Sequence, residues 1–202
     1  MKTLLKFLSL ATLCVFGATG LQAANFRTVV IDPGHGGHDN GGQWGRVYEK
    51  HLALDTSARI EYHLRKMGFN TVLTRRSDYF ISLPQRVSIA NRYKNAIFVS
   101  VHYNSTTSTR VNGLETFYHT PQSERLAQYV HRSMMQYTKV ENRGVKTARF
   151  YVIRNTKIPS ILIEGGFVSC SNERERLKSG WYREALARGV ADGIRRYRNS
   201  SN

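Results

Sequence analysis

Covalent and conformational staples are nearly absent from this chain, which has two cysteines and four prolines. Cys14 lies inside an apolar run near the start, so Cys170 stands alone in the rest of the chain. One thiol cannot close an internal disulfide, and the fold must stand on its core. No histidine neighbours Cys170 in sequence, which argues against a cysteine nucleophile. The prolines are scattered, and no linker or internal repeat marks a domain boundary. No apolar run approaches the roughly 20 residues that a bilayer-spanning helix needs. The run from Phe7 to Phe16 follows Lys2 and Lys6 and gives way to small residues ending in Gln22-Ala23-Ala24, the layout of a secretory signal peptide. Residues 1–24 are therefore set apart, and 25–202 are read as one domain that is soluble and monomeric.

Acidic residues are also scarce: 14 Asp and Glu face 30 Lys and Arg, for a formal charge of +16 and a pI near 10.2. Such a surface draws in anionic partners by long-range attraction. Nucleic acid is a poor candidate, because the chain is read as exported and carries no basic repeat or RNP-like aromatic motif. An anionic cell wall or lipid surface agrees better with export.

Apolar runs that read as buried strands are Arg27 to Ile31, Asn70 to Thr74, Ala96 to Val101, Leu114 to Tyr118, Phe150 to Ile153 and Ser160 to Ile163. Helical stripes alternate with them. Leu52, Ala53, Ile60, Leu64 and Met67 form one, ended by Gly68. Ser82 and Gln85 spell a capping box ahead of Val87 and Ala90. Leu126, Val130 and Met134 form another stripe, and Tyr182, Leu186, Val190 and Ile194 the last. This alternation predicts an α/β fold, a mostly parallel sheet covered on both faces.

The segment after the first strand reads Asp32-Pro33-Gly34-His35-Gly36-Gly37-His38-Asp39-Asn40-Gly41-Gly42. Its glycines let backbone turn tightly and approach a ligand. It lacks the Lys-Ser/Thr ending of a phosphate loop and the spacing of a dinucleotide fingerprint. His102 directly follows one buried run and Glu164 another, so His35, His102 and Glu164 all sit just past strands. In an open α/β sheet, sites form at the carboxyl ends of the strands, where such residues can converge. Glu49 opens the helix after the glycine loop and can reach back over the same edge. Two imidazoles and a carboxylate are a common catalytic zinc set, and they leave Glu164 as a non-ligand carboxylate. Zinc polarises a scissile carbonyl and acidifies bound water, while a nearby carboxylate shuttles the proton to the leaving nitrogen. Taken singly, any one of these residues is more often a surface or capping group than a ligand. His38, His51, His63, His119 and His131 are read as solvent-exposed bystanders.

The successive segments IDPGHGG, YEKHLALD, SVHYN, GLETFY, GVKTARFYVIRNTKIPSILIEGGFVS and NERERL resemble, in order and from Arg27 onward, the amidase-3 family of zinc-dependent N-acetylmuramoyl-L-alanine amidases. The resemblance implies a three-layer α/β/α sandwich around a mixed, mostly parallel sheet of about six strands. It implies a single zinc ion held by His35, Glu49 and His102, with Glu164 as the catalytic glutamate. The implied substrate is peptidoglycan or its muropeptides, cut between N-acetylmuramic acid and L-alanine during wall remodelling, daughter-cell separation or recycling. Some periplasmic members insert an autoinhibitory helix before the RGVK-like segment. Here Ser123 to Tyr137 supplies only one ordinary helix, so an open site without an obligatory activator is expected. No SH3-like, LysM or AMIN-like module is expected either, which leaves wall capture to the catalytic domain. A periplasmic location is preferred to the outer wall. Two departures stand out: Cys170 where asparagine is usual, and Asn40 where proline is common. Glu115 and the pair Arg154-Asn155 match motif positions near the site without an assigned role. Two other readings use the same residues: a noncatalytic wall-binding protein, and a peptidase acting within the stem peptide.

Overall fold

The computed structural model describes residues 26–200. The segment read as a signal peptide lies outside them. The elements run β1 (Thr28–Pro33), β2 (Gln43–Trp44), β3 (Val47–Tyr48), α1 (Glu49–Lys66), β4 (Asn70–Leu73), α2 (Leu83–Asn91), β5 (Ala96–Asn104) and β6 (Leu114–Tyr118). Then follow α3 (Pro121–Thr138), β7 (Asn142–Thr147), α4 (Tyr151–Asn155), β8 (Ser160–Phe167), α5 (Ser171–Lys178) and α6 (Gly180–Asn199). Six strands form one mixed sheet in the order β4-β1-β5-β8-β6-β7. Strands β4, β1, β5 and β8 are parallel to one another, whereas β6 runs antiparallel to β8 and parallel to β7. This is the layered α/β architecture that the sequence led us to expect.

The central strands are buried on both faces, so their runs are continuously apolar rather than alternating. One face takes Val29, Ile31, Val99, Val101 and Ile163 against Leu52, Ile60 and Leu64 of α1, Leu126, Val130 and Met134 of α3, and Leu186, Val190 and Ile194 of α6. The other face carries a smaller core, in which Val30, Phe98 and Leu162 meet Val87 and Ala90 of α2 and Val152 and Ile153 of α4. Each fully buried aliphatic or aromatic side chain of these layers contributes roughly 1.5–3 kcal/mol. The stripes expected for α1, α3 and α6 are the buried ones, and the Ser82–Gln85 capping box forms at α2 as read.

Three local readings are corrected. Phe150 to Ile153, expected as a strand, is the cap and first turn of α4: Phe150 and Tyr151 are exposed, and Val152 and Ile153 are buried in the smaller core. An apolar run this short has no period that separates a buried strand from a buried helix turn. The sixth strand is instead β7, whose Asn142-Arg143-Gly144-Val145-Lys146-Thr147 is polar because it lies at the sheet edge. His131, read as exposed, is buried and hydrogen-bonded to Thr116 and Asn142. Among the described residues, no helix is long and apolar enough to cross a membrane.

Candidate metal centre

From β1 the chain crosses to β4 on one side and then to β5 on the other. The carboxyl ends of β1 and β5 therefore flank a topological switch point, where α/β sheets open a crevice. His35 leaves the end of β1 and His102 lies near the end of β5. Glu49 enters from above as the first residue of α1, where the positive end of the helix dipole favours a carboxylate. Glu49 Oε1 is 3.1 Å from His35 Nε2 and 2.8 Å from His102 Nδ1. The two imidazole rings meet edge to face with centroids 4.8 Å apart. One donor atom from each residue lies within 4.8 Å of the other two, close enough for a single ion with bonds of about 2 Å to touch all three. Two imidazole nitrogens and a carboxylate oxygen fit zinc by chemistry and by number, so this group could hold a metal.

Backbone and carboxylate contacts orient the donors. His35 Nδ1 lies 2.9 Å from Asp39 Oδ2, and this carboxylate fixes the ring so that Nε2 faces Glu49. The Glu49 carboxylate also accepts the backbone N–H of Tyr103 (3.0 Å) and of Gly42 (2.6 Å). Gly41, at φ +65°, leaves the gap that brings His35 and Glu49 together: a Cβ there would lie 2.5 Å from atoms of both side chains. Gly34 gives the same room to His102, whose ring would be 2.4 Å from an added Cβ. Burial would raise the Glu49 carboxyl, but hydrogen bonds and charge from His102 and His35 overcome it and hold the group well below its ordinary 4.5. Burial likewise opposes charging of His35, yet Glu49 and then Asp39 raise it above 6.5.

Glu164 is the β8 residue directly across from His102 on β5, and on its other side it pairs with Glu115 of β6. A register shift follows at once, as a bulge in β8 re-aims the chain beyond the pair. Glu164 is 8% exposed, and its Oε2 has no hydrogen-bond partner. Burial first, and then the charges of Glu49 and Glu115, push its carboxyl well above the usual carboxylate range. Glu115 is itself held low, against burial, by Lys146 (2.6 Å) and Arg143 (2.9 Å), and it also accepts a hydrogen bond from Asn104 (3.1 Å). It is thus the anionic neighbour of Glu164.

The donor group, Asp39 and Glu164 line one side of a cleft of about 620 Å³. Its opposite wall is apolar, built from Phe80 and Ile81 ahead of α2, from Leu83 at its start and from Phe150, Tyr151 and Val152 at α4. All four residues singled out by the sequence, His35, Glu49, His102 and Glu164, line it. Arg154 is exposed on α4 and is not among the lining residues, and Cys170 is a buried free thiol. His38 stacks on Phe80 and His63 pairs with Glu184, and neither joins the donor group. Sequence reasoning passed over Asp39, whose signal was its place four residues after His35 in the same loop.

Fold and site together define an α/β protein with a His-Glu-His donor group and a buried, partnerless glutamate at the carboxyl edge of its sheet. Residues 29–196 match the sequence model of the N-acetylmuramoyl-L-alanine amidase family, amidase 3. The chain belongs to that family. It is 37% identical over 174 residues to the N-acetylmuramoyl-L-alanine amidase LytC of Bacillus subtilis, an alignment that takes in 84% of this chain and 35% of LytC. The crystal structure of an N-acetylmuramoyl-L-alanine amidase from Clostridium difficile superposes with a TM-score of 0.84 at 34% identity, covering 88% of this chain and 100% of that one. The CwlD amidase of Clostridioides difficile, solved in complex with the GerS lipoprotein, superposes at 0.83 with 27% identity over 86% of this chain and 99% of its own.

Proposed function

We propose that this protein is an exported, zinc-dependent N-acetylmuramoyl-L-alanine amidase that hydrolyses the amide joining the lactyl group of muramic acid to L-alanine in peptidoglycan. The observation that carries the reading is the partnerless, buried carboxylate of Glu164 beside the His35-Glu49-His102 donor group. Those three residues would hold zinc, which supplies a Lewis acid for the scissile carbonyl and a more acidic water. Glu164 takes a proton from the attacking water and delivers it to the departing nitrogen of L-alanine. Its raised proton affinity suits a group that must hold that proton between the two transfers. Asp39 keeps His35 in one tautomer. The apolar wall of Phe80, Leu83, Phe150 and Tyr151 shields the cleft and offers aromatic faces to the substrate.

The segment between β6 and β7 supports an accessible site. Its helix α3 buries Leu126, Val130 and Met134 in the larger core, on the opposite side of the sheet from the cleft wall at α2 and α4. The basic charge supports capture by an anionic wall. Mass spectrometry of purified peptidoglycan tests the whole reading, with the mature protein as isolated, after metal removal and after zinc return. Intact stem peptides beginning with L-alanine, released only when zinc is present, are the expected products. A new amine elsewhere in the stem would make the protein a peptidase. Binding to the wall without any product would refute the open site.

A further inference from the structure

Arg75 and Arg86 are 0% and 2% exposed, and Arg75 is among the largest fully buried side chains. Burying a guanidinium is costly unless its N–H groups find acceptors. Arg86 has a carboxylate, Asp32, at 2.7 Å, and Asp32 is held in turn by Thr74 (2.6 Å) and Ser100 (2.8 Å). Among the described residues Arg75 makes no ion pair, and its fork is satisfied by main-chain carbonyls. Arg75 Nε donates to Pro33 O (3.0 Å), Nη1 to Ser77 O (3.1 Å), and Nη2 to Gly34 O (2.7 Å) and Lys50 O (2.8 Å). Arg86 adds donations from Nη1 to Pro33 O (2.6 Å), from Nη2 to His35 O (2.6 Å) and from Nε to Ile81 O (3.0 Å).

Two of these bonds are local to the arginines, to Ser77 and Ile81. The other five take the carbonyls of residues 33, 34 and 35, and the carbonyl of residue 50, which follows Glu49. The carbonyls of residues 34 and 35 belong to the peptide units on either side of His35, in a loop whose glycines would otherwise leave it free, and that of residue 50 lies in the first turn of α1, one unit past Glu49. His35 itself sits at φ +58°, a left-handed conformation that L side chains adopt at a cost of about 1–2 kcal/mol. Such a conformation persists only where the surroundings over-determine it. Arg86, bonded to the His35 carbonyl, supplies that constraint from below.

On the metal-centre reading given above, we infer that Arg75 and Arg86 are positioning residues that preorganise His35 and Glu49 for the metal before it arrives. Lysine keeps the charge but cannot span several carbonyls with a planar fork. The test is calorimetric titration of zinc into metal-free wild type, Arg75→Lys and Arg86→Lys, with the melting temperature of each metal-free protein measured alongside. Loss of an orienting group beyond the ligands weakens metal binding about 10- to 100-fold, and that loss is expected here in variants that remain folded. Folded variants with wild-type zinc affinity would overturn the inference and reduce the arginines to packing. A wild type that binds no zinc would instead remove the metal centre itself, and the clamp with it. Should either variant fail to fold, hydrogen exchange on metal-free wild type decides. The amides of Gly34, Gly36 and Glu49 donate to Val101 O, Asp39 O and Gly42 O at 2.9 Å, and a preset loop protects them as strongly as the amides of α2. Exchange of these amides as fast as in an open chain would overturn the clamp.

Discussion

Replacing Glu164 by glutamine separates what the site does from what it costs the fold. The substitution is nearly isosteric, so the cleft and the donor group keep their shape. Activity is expected to fall by the worth of a general acid-base, about 10²- to 10⁴-fold. Stability of the metal-free protein should move the other way. Glu164 is buried with an unsatisfied Oε2, and it faces the charges of Glu49 and Glu115. Both penalties act on the ionised carboxyl, whose charge is buried and repelled by its neighbours, and the neutral amide removes them. A gain of about 1 kcal/mol in a chain of this size raises Tm by roughly 2–4 °C. The pH dependence carries the sign. A carboxyl whose folded pKa lies above its unfolded 4.5 keeps its proton longer in the native state, so stability is full below 4.5 and falls as pH rises through the folded value. The advantage of Glu164→Gln is therefore absent below about pH 4.5 and grows above it. Melting curves across pH, paired with stem-peptide release by mass spectrometry, read both effects. Wild-type turnover, or a lower Tm at neutral pH, would refute the reasoning.

Asp39→Asn keeps the shape but weakens the orientation of His35, and zinc affinity measured by titration should drop about 10- to 100-fold. Zinc binding requires the neutral imidazole, and because His35 is raised above 6.5 the apparent affinity should keep climbing with pH past that value. In the metal-free protein the same group stabilises the fold fully below 6.5 and loses that contribution as pH rises through its folded value, which melting curves of His35→Gln would show by its disappearance. Phe98→Ala empties a fully buried position in the smaller core and should cost about 3–5 kcal/mol in urea unfolding. Phe150→Ala trims the apolar wall without touching a donor, so KM for peptidoglycan should rise more than kcat falls.

The α/β class, the strands that carry the site and the four residues gathered in the cleft are legible in the amino-acid order. Each of those signals is local. An apolar run marks a buried strand, and a polar residue placed just past it marks the carboxyl edge where sites collect. The glycine loop declared its tight approach to a ligand in the same way. The rest depends on contacts between elements. Only the assembled sheet shows that β8 lies between β5 and β6, which sets Glu164 between His102 and Glu115. Only packing distinguishes α4 from a strand, since Val152 and Ile153 are apolar in either conformation. Arg75 and Arg86 gave no sign of burial, because arginine is normally a surface residue and, Asp32 apart, their acceptors are main-chain carbonyls, which no side-chain pattern reveals. The bonds to residues 33, 34 and 35 join partners 41 to 53 positions apart along the chain, and only the closed fold brings them together.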